Sequence, residues 1–117
     1  MAQFLAQDYW VVRWLPVEAS TADDVAAHLD AHLDWMLGLE REGLVLASGP
    51  LLEGPGVRPG AGLTVLRAAD AESAAKIAAQ DPFVVAGVRG FEVARWRLME
   101  GALTVRVSFG TSTYTLD

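Results

Sequence analysis

The segment Tyr9 to Leu15 constrains the fold more than any other stretch of the chain. It is built of aromatic and β-branched residues and is closed by Pro16, which reads as a strand. Side chains alternate across a strand, so Trp10, Val12 and Trp14 point one way while Tyr9, Val11 and Leu15 point the other. Only Arg13 is polar. A strand that is apolar on both sides needs cover on both sides, and an open apolar face is a large exposed patch.

The elements downstream cover one of those sides. Ser20-Thr21-Ala22-Asp23-Asp24 offers two overlapping capping boxes, Ser20 with Asp23 and Thr21 with Asp24. They predict a helix running to about Glu42, with Gly43 as its stop. Leu44 to Ser48 predicts a second strand and Leu63 to Ala68 a third. Between them Gly49 to Gly62 holds five glycines and three prolines, and predicts a loop. Asp70 predicts the cap of an alanine-rich helix over Ala71 to Gln80. Asp81-Pro82 predicts another cap, with proline at the first position of a short turn over Phe83 to Ala86. Phe91 to Met99 predicts a fourth strand. Glu100-Gly101 predicts a hairpin turn from which Leu103 to Phe109 pairs back as a fifth.

This order predicts an α+β fold, a ferredoxin-like βαββαβ domain with a C-terminal β-hairpin arm. Right-handed crossovers put both helices on one face of the sheet. The other apolar face is left for a partner. Closed homodimers are the commonest oligomers, so the expectation is a homodimer with two sheets packed face to face.

Length and composition set limits. With 117 residues the chain is expected to be one domain, 1–117, with a core over about 8–98 and an arm over about 99–117. The net charge of −6 argues against nucleic acid and anionic membranes as partners of the surface at large. There is no cysteine, which excludes disulfides, thiolate catalysis and zinc–thiolate sites and fits a reducing compartment. Met1 to Asp8 has neither a positive start nor a long apolar run, and no run reaches membrane-spanning length. The expected location is the cytoplasm.

Within the first helix Val25, Leu29, His32, Met36 and Leu39 recur at alternating spacings of four and three, one continuous stripe at helical period. On a wheel of roughly 100° per residue His32 lies within about 20° of the stripe's centre, where leucine is the natural occupant. His28 sits at the edge. An imidazole there needs a hydrogen-bond partner, since leaving it unpaired costs about 1–3 kcal/mol. Three readings are open. His32 is a core histidine with a satisfied ring, a pocket-lining general acid–base, or with His28 half of a metal site. The metal reading lacks a third ligand and the His-Glu-x-x-His pattern, so no metal is expected.

His32-Leu33, Gly43, Ala47-Ser48-Gly49-Pro50, Asp81-Pro82-Phe83 and Ala86-Gly87-Val88, in that order, resemble the YCII-related (YciI-like) family over roughly residues 8–98. The resemblance implies a ferredoxin-like domain paired as a dimeric α/β barrel. It also implies an active-site His–Asp pair, His32 and Asp81, with Ser48, Gly49 and Pro50 near the pocket. The family's aromatic after Asp-Pro is commonly tyrosine. Here it is Phe83, so a hydroxyl role at that position is lost. One relative eliminates chloride from a chlorinated hydroquinone. Asp81 also has a purely local role as a cap before Pro82. The two roles are compatible, because one carboxylate oxygen can cap while the other receives an imidazole N–H.

Other features carry less. The Gly49–Gly62 loop is either a substrate lid or a loose connection. Arg58 within it either meets an anionic ligand or is solvated. The loop lacks the Gly-Lys-Ser/Thr ending of a phosphate-binding loop, and no Gly-x-Ser-x-Gly is present. Trp10, Trp14, Trp35 and Trp96 read as core and interface. Two functions from different classes follow. One is a small cofactor-free lyase, isomerase or hydrolase acting on a compact organic acid or phenolic compound. The other is a ligand-binding or assembly module that uses the same pocket without turnover.

Overall fold

A computed structural model describes residues 6–116. Part of the N-terminal stretch read above for a leader, residues 1–5, lies outside the described residues, as does Asp117. The chain forms β1 (Gln7–Pro16), α1 (Ala22–Arg41), β2 (Val45–Pro50), β3 (Gly62–Leu66), α2 (Ala71–Ala78), α3 (Pro82–Val85), β4 (Arg89–Leu98), β5 (Val105–Ser108) and β6 (Thr113–Leu116). The first four strands pair antiparallel in the order β2-β3-β1-β4. With α1 and α2 crossing between strands, this is the α+β ferredoxin-like arrangement.

The inner face of the sheet is the one that carries Trp10, Val12 and Trp14. Val12 and Trp14 join Leu66, Ala74 and Ala78 in the core, with Trp10, Trp35, Val45, Phe91 and Val93 packed around them. Ala74 and Ala78, one helical turn apart on α2, have no exposed surface, so α2 lies close against the sheet. The outer face carries Tyr9, Val11 and Leu15 beside Leu63, Val65 and Trp96 of the neighbouring strands. Leu15, Leu63 and Trp96 there remain exposed.

Local chemistry fixes the helix starts. Thr21 caps α1 and forms the reciprocal box with Asp24. Ser20 forms no box with Asp23; its hydroxyl donates to the Val17 carbonyl 2.9 Å away and closes the preceding turn. Asp70 caps α2 and Asp81 caps α3, where Pro82 takes the first position. Gly43, at φ +77°, ends the first helix in the left-handed region that favours glycine.

Two further expectations need correction. The glycine-rich stretch is not all loop, because Gly49 and Pro50 finish β2 and Gly62 opens β3. A Cβ on Gly62 would stand 2.8 Å from the Gly49 carbonyl oxygen, so the missing side chain is what lets these strand ends close together. Pro50 is tolerated because β2 is an edge strand.

The second correction concerns the arm. Leu103 to Phe109 does not pair back on β4. Val105–Ser108 pairs instead with Thr113–Leu116 in a separate two-stranded sheet. Gly101 has φ +139°, well above the roughly +90° of the second central residue in a two-residue type I′ reversal. Reversal occurs locally over residues 109–112, where Ser112 adopts φ 53°. The hairpin is amphipathic. Val105, Val107, Tyr114 and Leu116 share one exposed face, opposite Arg106, Ser108, Thr113 and Thr115.

Among the described residues no helix is long and apolar enough to cross a membrane.

Candidate active site

The apolar stripe of α1 divides into two functions. Toward its C-terminal end Met36 and Leu39 are buried, while Leu29 remains 41% exposed. Val25, Leu29, His32, Leu33 and Met36 form one wall of a cavity of about 330 Å³. The opposite side is made by Ser48, Gly49 and Pro50 at the end of β2 and by residues 60–62 entering β3. Trp14, Phe83 and Arg89 complete it. This volume is at the small end of ligand pockets and fits a compact molecule. His32 stands where the stripe passes from cavity to core.

His32 and Asp81 come together from positions 49 apart in sequence. Nδ1 of His32 lies 2.8 Å from Oδ1 of Asp81. The carboxylate is fully buried and the imidazole is 13% exposed. The same Oδ1 accepts the Phe83 backbone N–H at 3.3 Å, so capping and ring orientation are performed by one oxygen. The expected division, one oxygen capping and the other receiving the imidazole, is corrected: both contacts fall on Oδ1, and Oδ2 is left to Arg89. Phe83 has no hydroxyl, yet it has a place: its ring stacks on His32 at a centroid distance of 4.7 Å and an interplanar angle of 28°. His32 is hydrogen-bonded like a core residue and it also lines the cavity.

Asp81's second oxygen serves Arg89, a residue the sequence reading did not single out. Arg89 Nε donates to Oδ2 at 2.8 Å, and Nη1 donates to the Gly60 carbonyl at 2.9 Å. Nη2 is 2.8 Å from Oδ2 but off the hydrogen-bond line, and is buried without a partner among the described residues. The guanidinium lies over the rings of Trp14 and Phe83, at 4.0 Å and 4.7 Å from their centroids. Burial pulls the Arg89 pKa down, while the charge and hydrogen bond of Asp81 pull it back. The signal that could have found Arg89 is its phase. It alternates with Phe91 and Val93 on the inner face of β4, where an unpaired charge is not tolerated.

A second polar set lies across the cavity. Trp14 Nε1 donates to Thr64 Oγ1 at 2.9 Å, and Thr64 Oγ1 lies 2.7 Å from Ser48 Oγ. Thr64 is fully buried and sits in register between Val12 on β1 and Ser48 on β2. Arg58 is held by the backbone near α1. It donates to the carbonyls of Glu18 and Ser20, tying the glycine-rich loop to the turn before α1.

The arrangement supports proton movement. With Asp81 accepting the Nδ1 proton, a neutral His32 carries its lone pair on Nε2 and can act as a base. Asp81 is placed to balance a charge on that ring, and Arg89 holds its second oxygen.

Comparison with known proteins agrees with this architecture. A search of curated proteins finds no match. Among solved structures, the chain is similar to 5-chloro-2-hydroxyhydroquinone dehydrochlorinase from Burkholderia phenoliruptrix, solved in complex with 2,5-dihydroxybenzoquinone. The TM-score is 0.62 at 20% identity, covering 75% of this chain and 92% of that one, a likeness of fold. The YCII-related domain model matches residues 10–97, well over half of the sequence. The chain belongs to the YCII-related domain family.

Proposed function

We propose that this protein is a small cofactor-free enzyme of lyase, isomerase or hydrolase type, acting on a compact organic acid or phenolic compound. The observation that carries the reading is the 2.8 Å contact between His32 Nδ1 and Asp81 Oδ1 at the wall of the cavity. His32 moves a proton through Nε2. Asp81 holds the ring and balances its charge. Ser48, Gly49, Pro50 and Phe83 shape the space in which the substrate lies. The dehydrochlorinase of similar fold acts on a chlorinated hydroxyhydroquinone, which supports a phenolic substrate class here.

The working form is a homodimer, paired through the outer sheet face as a dimeric α/β barrel. The exposed Leu15, Leu63 and Trp96 on that face support this pairing. Light scattering at micromolar concentration is expected to give twice the chain mass; a stable monomer overturns it. The chain is one domain with an arm over about 99–117. A cysteine-free sequence with a net charge of −6 supports a cytoplasmic location and a surface that does not seek nucleic acid.

A turnover screen over small phenolic and lactone substrates tests the reading, with His32→Ala as control. Loss of general acid–base catalysis typically costs about 10²- to 10⁴-fold in rate. A loss of that size in folded His32→Ala is expected. Activity that survives the substitution removes His32 as the catalyst. Tight binding by the wild type with no turnover favours a ligand-binding module instead.

A further inference from the structure

We infer that the cavity is an oxyanion receptor in which Thr64 is a positioning residue that fixes Ser48 as a hydrogen-bond donor to the ligand. The inference rests on the reading of this cavity as the active site, and names the chemistry the ligand must bring. A tryptophan N–H can only donate. Trp14 Nε1 therefore occupies Thr64 Oγ1 as an acceptor. The Thr64 hydroxyl still has its own proton to place, because a buried hydroxyl is not left unpaired. The acceptor in reach among the described residues is Ser48 Oγ, 2.7 Å away. The relay runs Trp14 to Thr64 to Ser48. It fills an acceptor site on Ser48 and leaves the serine's own hydrogen unspent at the cavity wall.

The charges around the cavity have the matching sign. Arg89 lines it, while its counter-charge Asp81 stands behind His32 and is not part of the wall. Among the described residues no aspartate or glutamate lines it. A ligand thus meets a donor hydrogen, the positive member of an ion pair and the His32 base, set among Trp14, Phe83 and aliphatic side chains. The class that fits is a compact ring or enol bearing an ionised oxygen. That oxygen sits at Ser48, and the atom that gains or loses a proton sits at His32.

Calorimetric titration of the full-length protein with three probes tests this. 2,5-Dihydroxybenzoquinone is an ionised enol, benzoate is a carboxylate, and hydroquinone is a neutral ring of like shape. The wild type is expected to bind at least one anionic probe more tightly than hydroquinone. Ser48→Ala should weaken that probe by about 10- to 100-fold, the usual worth of a hydrogen bond to a charged group, and leave hydroquinone little changed. Thr64→Val keeps the volume and the Ser48 hydroxyl yet should show the same selective loss, which Thr64→Ser restores. Thermal unfolding of each variant checks that it is folded. Should Thr64→Val not fold, the selective loss in Ser48→Ala and its absence in Thr64→Ser decide the matter. Equal loss of charged and neutral probes, no loss in Ser48→Ala, or no anion preference in the wild type overturns the inference. Whichever anion shows the Ser48 dependence identifies the ligand's ionised group. Binding selectivity needs no turnover, so its failure is separate from a failure of the catalytic reading.

Discussion

Arg89→Met breaks the buried ion pair with Asp81. Methionine reproduces most of the length of the arginine stem but removes the guanidinium. Asp81, with no exposed surface, then keeps His32 and the Phe83 N–H but loses the cation on its second oxygen. Removing one partner of a buried ion pair costs about 3–5 kcal/mol, because the remaining charge is left uncompensated. The Gly60 carbonyl loses its donor as well. A domain of this size is stable by about 5–15 kcal/mol, so the loss is a large fraction of the whole. At roughly 4 °C per kcal/mol, the melting temperature should fall by about 12–20 °C. Circular dichroism melts and urea titrations of the single variant measure this. The double variant Arg89→Met/Asp81→Asn identifies the cause. Asparagine keeps an acceptor for the α3 cap but carries no charge, so the double variant should regain about half of the loss. A single variant within about 1 kcal/mol of wild type refutes the reasoning, as does a double variant less stable than the single one.

Two further perturbations probe the frame around the site. Hydrogen bonds from Arg97 and Arg95 hold the Asp8 carboxyl well below the usual carboxylate range. Because the folded-state pKa is depressed, the contribution is fully present above the ordinary carboxylate pKa and is lost as pH falls toward the folded value. Asp8→Asn should therefore melt lower than wild type at neutral pH, with the gap closing through the acid range and shrinking in high salt; a gap independent of pH refutes this. Gly62→Ala drives a methyl to within 2.8 Å of the Gly49 carbonyl, which should cost about 1–3 kcal/mol in urea titration and shift the rim formed by Gly49 and Pro50. A loss below about 0.5 kcal/mol would show that the two strand ends can separate freely.

What could be read from sequence follows the range of the interactions involved. The Thr21–Asp24 box, the Asp70 and Asp81 caps and the alternation in β1 are set by neighbours a few residues away, and each is found where local chemistry puts it. His32 was legible because helical periodicity exposes a polar residue on an apolar stripe. Its contact with Asp81 spans 49 residues and depends on α1 and α3 packing together, so only the family pattern pointed to it. Arg89 and Thr64 escaped because both lie on strands, where a single polar residue in the inner phase is easily taken for a surface position. The arm was misread because Glu100-Gly101 resembles a turn by composition. A four-residue reversal with Ser112 in the left-handed region leaves only the weaker signature of Gly110.

The stretch between β2 and β3 is clamped where it meets the cavity and exposed at its tip. Leu51 N–H donates to the Ala61 carbonyl across its neck, Arg89 holds Gly60, and Arg58 fastens it to the turn before α1. Leu52, just outside the neck, is 83% exposed. Such a segment can change length or composition at its tip while His32, Asp81 and Arg89 stay in place. Evolution or a combinatorial library can therefore vary the tip without rebuilding the His32–Asp81–Arg89 cluster. Diversity across relatives should concentrate in the tip, between the neck and Arg58, and thin out sharply at Gly60.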